Sequence, residues 1–284
     1  MKLLLFKNRH IFLLSIILMA TNINYAQQFN SCLSVEGSFV IAAICKDGII
    51  IASDSRANIF DKRNQLQEPI AYFDSIQKIY PIGINAIAET GQGLILNLFF
   101  SAIIKSYKAN TVSLTIENLL PSFINYCKNN YPPELFREMR KQKLFATGYI
   151  GTMPTICYYN EDQPTGSFGC IQKSGFIESD STLLYEYRNQ LDKMSSDEVA
   201  DLAIKAINDY AKNNDNWKTI GGQINVLLVT PQGTKWVKNM PPPQRWTYIQ
   251  DFIGDFINGD VKINLIEPTT IEQLKNLFLS VPKK

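Results

Sequence analysis

The sequence predicts an α+β protein in which antiparallel sheets are flanked by pairs of helices. Three observations predict it. β-branched runs recur in pairs around short turns, as antiparallel hairpins require. Segments with apolar residues three or four apart fall between those hairpins. The chain of 284 residues, 45% hydrophobic and 19% charged, can bury one sizeable core. In order the elements run hairpin, hairpin, two helices, hairpin and strand, two helices, strand, which gives two antiparallel sheets with helix pairs outside.

The first 26 residues carry Lys2, Lys7 and Arg9, an apolar run from Ile11 to Ala20, and a small residue at Ala26. This is the layout of a secretory signal peptide, with an apolar run too short for a convincing spanning helix. Asn24 stands three positions before the expected cut, so an uncleaved anchor is the alternative. The protein is expected to be exported, periplasmic or extracellular, with no membrane contact beyond this segment. Of the 28 Lys and Arg, three lie here beside no acidic residue, leaving 25 against 26 Asp and Glu. That balance argues against a basic nucleic-acid-binding surface.

The five cysteines, at 32, 45, 127, 157 and 170, contain no Cys-x-x-Cys, so neither a disulfide framework nor a zinc site is indicated. Cys45 and Cys157 read as core residues, and one pair is open to oxidation outside the cytoplasm. The only histidine is His10, inside the signal. Without that segment, a Ser-His-Asp or Cys-His mechanism and imidazole-bound zinc are excluded, and a hydrolase needs another base. A free α-amino group is one, with a reference pKa of about 7.7–8.0.

Residues 27–37 are short and polar, and read either as an ordinary tail or as a propeptide ending at Gly37. From Gly37 to Arg56 two apolar strands are joined at Lys46-Asp47-Gly48. A two-residue loop of Asp47 and Gly48 sets Asp54 opposite Ile41. A three-residue loop with Gly48 left-handed sets it opposite Val40, on the face that carries Ser38. In that second register Ser38 and Asp54 are roughly 7 Å apart along the strand, a gap that a lysine can bridge. Asn58 to Ser75 reads as a long polar loop. Ile76 to Tyr80 and Ile84 to Ala88 form a second hairpin, with Lys78 in its first strand. As an edge lysine it would guard against aggregation; beside Ser38 and Asp54 it would serve chemistry. Glu89-Thr90-Gly91 leads to a helix spaced on Leu94, Leu98, Ala102 and Lys105. That places the Gly91 N–H near a helix N-terminus, a position suited to an oxyanion, although a tight turn would also need Gly.

A second helix spans Leu114 to Asn130 and ends at Pro132-Pro133. Leu144 to Tyr149 and Pro154 to Tyr159 make a third hairpin, and Phe168 to Gly175 a further strand that carries Ser174. Ser181 to Gln190 and Ser195 to Asn213 read as helices, the second opened by a capping box of Ser195 and Glu198. Gly221-Gly222-Gln223 opens the strand Ile224 to Val229. A C-terminal extension, residues 241–284, begins with Pro241-Pro242-Pro243. Within it Tyr248 to Ile257 and Thr270 to Phe278 read as helices, Thr269 and Glu272 framing the second. The extension is expected to pack on the core or on a neighbour.

Gly37-Ser38, the turn Lys46-Asp47-Gly48 and the run Ala52-Ser53-Asp54-Ser55-Arg56 together resemble the proteasome β-subunit family of N-terminal-nucleophile (Ntn) hydrolases. The resemblance implies a four-layer αββα sandwich over residues 38–240, preceded by a propeptide at 27–37. It implies Ser38 as nucleophile where the family has Thr, supported by Asp54 and by Lys78, which is followed by Ile79. Gly91 matches the oxyanion glycine, and Ser174 the serine that supports the nucleophile. Lys173 stands where the first glycine of the family's Gly-Ser-Gly is expected. Ile220 replaces a serine before the Gly-Gly pair, and Asp215 is displaced by two residues. The resemblance further implies Glu89 at the base of the pocket for the side chain preceding the cut bond, with Ala57 and Ile76 on its walls, and so cleavage after basic residues. Glu89 facing solvent or pairing with Arg56 is the alternative. No cofactor and no metal are implied; the partners implied are a peptide or amide substrate and further copies of the chain in a homo-oligomeric ring. The expected function is an exported peptidase or amidohydrolase that exposes its nucleophile by cutting Gly37–Ser38. The alternative is a catalytically inactive module of the same fold, kept for structure or assembly, to which the Ser for Thr change points.

Overall fold

Apolar and polar residues begin to alternate before the first expected hairpin, in Leu-Ser-Val-Glu-Gly, and these five residues form strand β1 (Leu33–Gly37). The computed structural model describes residues 33–37, 39–63, 68–110, 114–160, 167–172, 176–178, 184–212 and 218–281. After β1 come β2 (Val40–Cys45), β3 (Gly48–Ser53), β4 (Arg56–Asp61), β5 (Ala71–Asp74), β6 (Ile79–Ile82) and β7 (Asn85–Gln92). A small ribbon, β8 (Leu94–Ile95) and β9 (Leu98–Phe99), precedes α1 (Phe100–Ala109), α2 (Ile116–Asn130) and α3 (Pro133–Met139). Then follow β10 (Lys143–Ile150), β11 (Met153–Asn160), β12 (Ser167–Gln172), β13 (Phe176–Glu178), α4 (Ser196–Lys212), β14 (Asn225–Thr230) and β15 (Gly233–Lys238). The chain closes with α5 (Ile249–Ile257), β16 (Asn264–Leu265) and α6 (Ile271–Leu279).

The protein is therefore of mixed α and β content with antiparallel sheets. The larger sheet has the order β12-β11-β10-β7-β1-β4-β5-β16, with β6 paired to β7; the smaller has the order β13-β2-β3-β14-β15. Val40, Ile49, Ile51 and Val229 of the smaller sheet meet Ile79, Ala86, Phe145 and Ile156 of the larger in one apolar layer. On the far side of the larger sheet, α1 and α2 bury Phe100, Ile103, Leu120 and Phe123 with Ile87, Leu144 and Ala146. On the far side of the smaller sheet, Val199, Ala203 and Ile207 of α4 cover Phe39, Ile41 and Ile50. The C-terminal segment forms a fourth cluster, in which Trp246, Phe252, Leu274 and Phe278 cover Leu33, Val35, Ile59 and Phe73. The segment thus packs on its own core. Among the described residues, no helix is long and apolar enough to cross a membrane.

Several local expectations are corrected. The first hairpin takes neither expected register: Cys45 pairs with Gly48 and Val40 with Ser53, so the loop is Lys46-Asp47. Gly48 already lies in the strand, and a Cβ there would come within 2.5 Å of the Val229 carbonyl oxygen. It is glycine because β14 passes so closely, and its φ is not positive. The expected loop over 58–75 contains the end of β4 and all of β5. Leu94 and Leu98 belong to the ribbon rather than to a helix, because Leu96 is left-handed at φ 56° and α1 starts only at Phe100. Pro132-Pro133 does end α2, but Pro133 also opens α3, where a missing N–H costs nothing. In place of a helix over 181–190 the described residues hold one 3₁₀ turn, Tyr185–Tyr187, and a second follows at Leu191–Lys193. The cap of α6 is Thr270 with Gln273, one residue later than expected. Ser195 and Glu198 do form the expected box at α4. Cys157 is a core residue that also pairs with Cys170, directly across β11 and β12.

Candidate active site

At the end of β3 the chain leaves the sheet, and the backbone turns so that one carboxylate becomes the junction of three segments. Asp54 is fully buried. Its Oδ1 accepts from the Phe39 N–H at 3.0 Å and from Lys78 Nζ at 2.6 Å. Its Oδ2 accepts from the N–H groups of Arg56 at 3.2 Å and Gly221 at 3.1 Å. Asp54 thus faces Phe39 rather than Ile41 or Val40, and the Asp54 N–H returns a bond to the Phe39 carbonyl. Four donors on one carboxylate, one of them cationic, offset the desolvation that would otherwise forbid a charge here.

Lys78 precedes β6 and is 1% exposed. A Cβ on Gly37 would stand 3.1 Å from its Nζ and 3.0 Å from its Cε. The ammonium therefore rests against the last residue of β1, where a Cβ would first meet the Arg56 carbonyl oxygen at 2.8 Å, so the β4 backbone is what calls for glycine. Gly37 lies opposite Gly91 of β7. Gly91 sits inside a strand, nine residues before α1, so no helix N-terminus adds to its N–H; this corrects the expected junction. Its φ is 126°, and the Gln142 Oε1 lies 2.7 Å from where its Cβ would be. That oxygen accepts from the Gln92 N–H at 2.7 Å, which fixes the peptide after Gly91. Gln142 was not legible as a site residue, since nothing around it in Lys141-Gln142-Lys143 marks a buried amide.

Glu89 is 2% exposed and faces the Lys78–Asp54 pair electrostatically. Burial pushes its carboxyl up to about 8; the Lys78 charge pulls the other way, and the Asp54 charge adds to the rise. Its Oε2 accepts no hydrogen bond among the described residues. Glu89 neither faces solvent nor pairs with Arg56, whose guanidinium instead forks onto Asp74 at 2.7 and 3.0 Å and stacks over Tyr72 at 3.8 Å. Ala57 and Ile76 are buried within the apolar cluster of the C-terminal segment. Ser38 and Ser174 lie outside the described residues, as does Asp215. The structure brings together Asp54, Lys78, Glu89, Gly37 and Gly91.

A cleft of about 340 Å³ opens beside Gly37 and Gly91, lined also by Glu36, Asn58, Lys143, Tyr210 and Ile220. A larger cavity of about 550 Å³ lies between Asp74 and Trp246. Asp54 and Lys78 line neither of them, but Gly37 and Gly91 line only the smaller cleft, so that cleft is the one that reaches the site. Among the described residues no three His, Cys, Asp or Glu side chains converge as a metal ion would require. What the arrangement offers is a buried cation, fixed by a fully bonded carboxylate, at the end of a strand whose next residue is a serine. No family model matches the chain, and no curated protein matches it.

Proposed function

We propose that the protein is an exported Ntn hydrolase with a proteasome-like αββα sandwich, which cuts Gly37–Ser38 and then uses Ser38 against peptide or amide bonds. The observation that carries this reading is the buried Lys78–Asp54 pair, with Nζ 3.1 Å from the Cβ position of Gly37. The stacking of two antiparallel sheets between helices supports the fold assignment, and the Cys157–Cys170 disulfide is compatible with export.

In self-cleavage Ser38 Oγ attacks the Gly37 carbonyl carbon, its proton passes to the departing Ser38 nitrogen, and the C–N bond gives way to an ester. Water then hydrolyses the ester, leaving a Gly37 carboxylate and a free Ser38 amine. On a substrate the same hydroxyl attacks, with the amine taking its proton through a water. Lys78, held by Asp54, lowers proton affinity nearby and favours the developing negative charge. The Gly91 N–H serves the oxyanion, a contribution on the order of 3 kcal/mol for one such donor. An electrophile directed at N-terminal nucleophiles should label the secreted protein once per chain. Labelling absent from the wild type, or equal in Ser38→Ala, would remove this reading.

One observation favours a second reading, an inactive module that is never cut. β1 is an internal strand of the larger sheet, with Leu33 and Val35 fully buried. In that case the chain stays joined at Gly37–Ser38 and no label enters.

A further inference from the structure

The five residues before Ser38 are built into the protein. Between β4 and β7, β1 makes antiparallel pairs on both edges: Leu33 with Asp61, Val35 with Ile59 and Glu36 with Asn58 on one side, Glu36 with Gln92 and Gly37 with Gly91 on the other. Removing it would open the larger sheet at its middle and expose two rows of backbone donors and acceptors. The period of two sends Leu33 and Val35 to one face, where both are 0% exposed. That face is covered by the C-terminal segment, through Trp246, Phe252, Leu274, Leu277 and Phe278.

The cover is itself tied down at three places. β16 adds to β5 at the edge of the same sheet, and the Ile266 N–H bonds to the Ile70 carbonyl. The Phe99 N–H reaches Thr247 O, and the Ile249 N–H reaches Asn97 O, each at 3.0 Å. The Trp246 ring meets Phe252 edge to face at 5.0 Å, and Phe252 meets Phe278 likewise at 6.1 Å. No part of this lattice depends on the peptide bond after Gly37.

We infer that cutting Gly37–Ser38 does not free the segment: residues 33–37 remain as a bound strand, locked by the C-terminal helices, and the protein carries its own leader across the active cleft. This rests on the hydrolase reading for the cut itself, but not for the retention. Hydrolysis adds one water, the oxygen to Gly37 and the hydrogen to the Ser38 amine. The new Gly37 carboxylate then forms beside the Lys78 ammonium, so the cut adds an attraction where it removes a covalent bond. Any substrate attacked at the same point must lay the residues preceding its own cut bond where Ser34, Val35, Glu36 and Gly37 now lie. The retained strand therefore competes with substrate at this position, slowing turnover and labelling without abolishing them, and α5 and α6 set how tightly it is held.

The test uses the secreted full-length protein, passed through size exclusion under native conditions and then weighed by denaturing mass spectrometry. The expected result is a chain starting at Ser38 together with one copy of the peptide ending at Gly37. Introducing Leu33→Asp and Val35→Asp together should release that peptide and raise the hydrolysis rate of an added fluorogenic peptide at least tenfold. A cut chain that elutes without the peptide overturns the inference. If the wild type is never cut, the hydrolase reading fails, and retention is decided separately. A full-length form with a site-specific protease sequence between Gly37 and Ser38 is cleaved, in urea if the native bond is protected, and returned to buffer. Co-elution of the two pieces upholds the inference, and separation overturns it.

Discussion

Replacing Glu89 by Gln should remove a pH dependence of stability that the wild type shows between about pH 4.5 and 8. The carboxyl is buried at 2% exposure, and burial raises it from 4.5 to about 8 against the pull of Lys78. Since the folded state holds this proton over a range in which the unfolded chain has lost it, stability falls as pH rises. The contribution is fully present below the unfolded value of 4.5 and is lost as pH passes through about 8. At 1.36 kcal/mol per pH unit, that window corresponds to on the order of 5 kcal/mol. Other shifted groups act outside it. Asp61 is held below its usual 3.8 by the Arg63 guanidinium, so its contribution is lost only in stronger acid, and Cys45 is raised above 9 by burial. The assay is urea unfolding of wild type and Glu89→Gln at half-unit steps from pH 4.5 to 8.5. The difference between the two should grow in favour of the variant with rising pH. A difference that is flat across the range, or that grows in favour of the wild type, would refute the argument.

Three further outcomes follow from single contacts. Asp54→Ala leaves the Lys78 ammonium buried without its carboxylate, and should cost about 3–5 kcal/mol in chemical denaturation. Restoring Asn at 54 should recover little, because a neutral amide cannot hold the charge. Gln142→Ala removes the acceptor from the half-buried Gln92 N–H and should destabilise by about 0.5–1.5 kcal/mol. Changing Cys157 and Cys170 together to Ser opens a link between neighbouring strands 13 residues apart. The loss should be about 3 kcal/mol, read as a lowered melting temperature that matches reduced wild type.

Much of the architecture was legible because it is written in local chemistry. The β-branched runs 40–45 and 48–53, the paired runs 144–149 and 154–159 and the Ser195–Glu198 box each specify their element within a few residues. The register of the first hairpin was not, because Gly48 is shaped by the Val229 carbonyl, 181 positions away. β1 and β4 carried a readable signal in the alternation Leu-Ser-Val-Glu and in Ala57 and Ile59, but both are short and embedded in polar stretches. At the site, hairpin geometry singled out Asp54 beside residue 38, but Lys78 joined it only through resemblance, since no spacing rule joins residues 24 apart. Glu89 is expected at the base of a substrate pocket only through the resemblance, and the structure adds that it is buried and feels the Lys78 charge. Burial of a carboxylate leaves no trace in its neighbours Ala88 and Thr90. The two C-terminal helices were legible from their periodicity, while their seat on Leu33 and Val35 was not, because a docking partner across 200 residues is a property of the tertiary fold.

The measurement closest to the central claim is the N-terminal sequence of the secreted, full-length protein. The account predicts a chain that begins Ser-Phe-Val-Ile, at Ser38, and that this species disappears in both Ser38→Ala and Lys78→Ala. A mature chain beginning at Gln27, with no species beginning at Ser38, would contradict it.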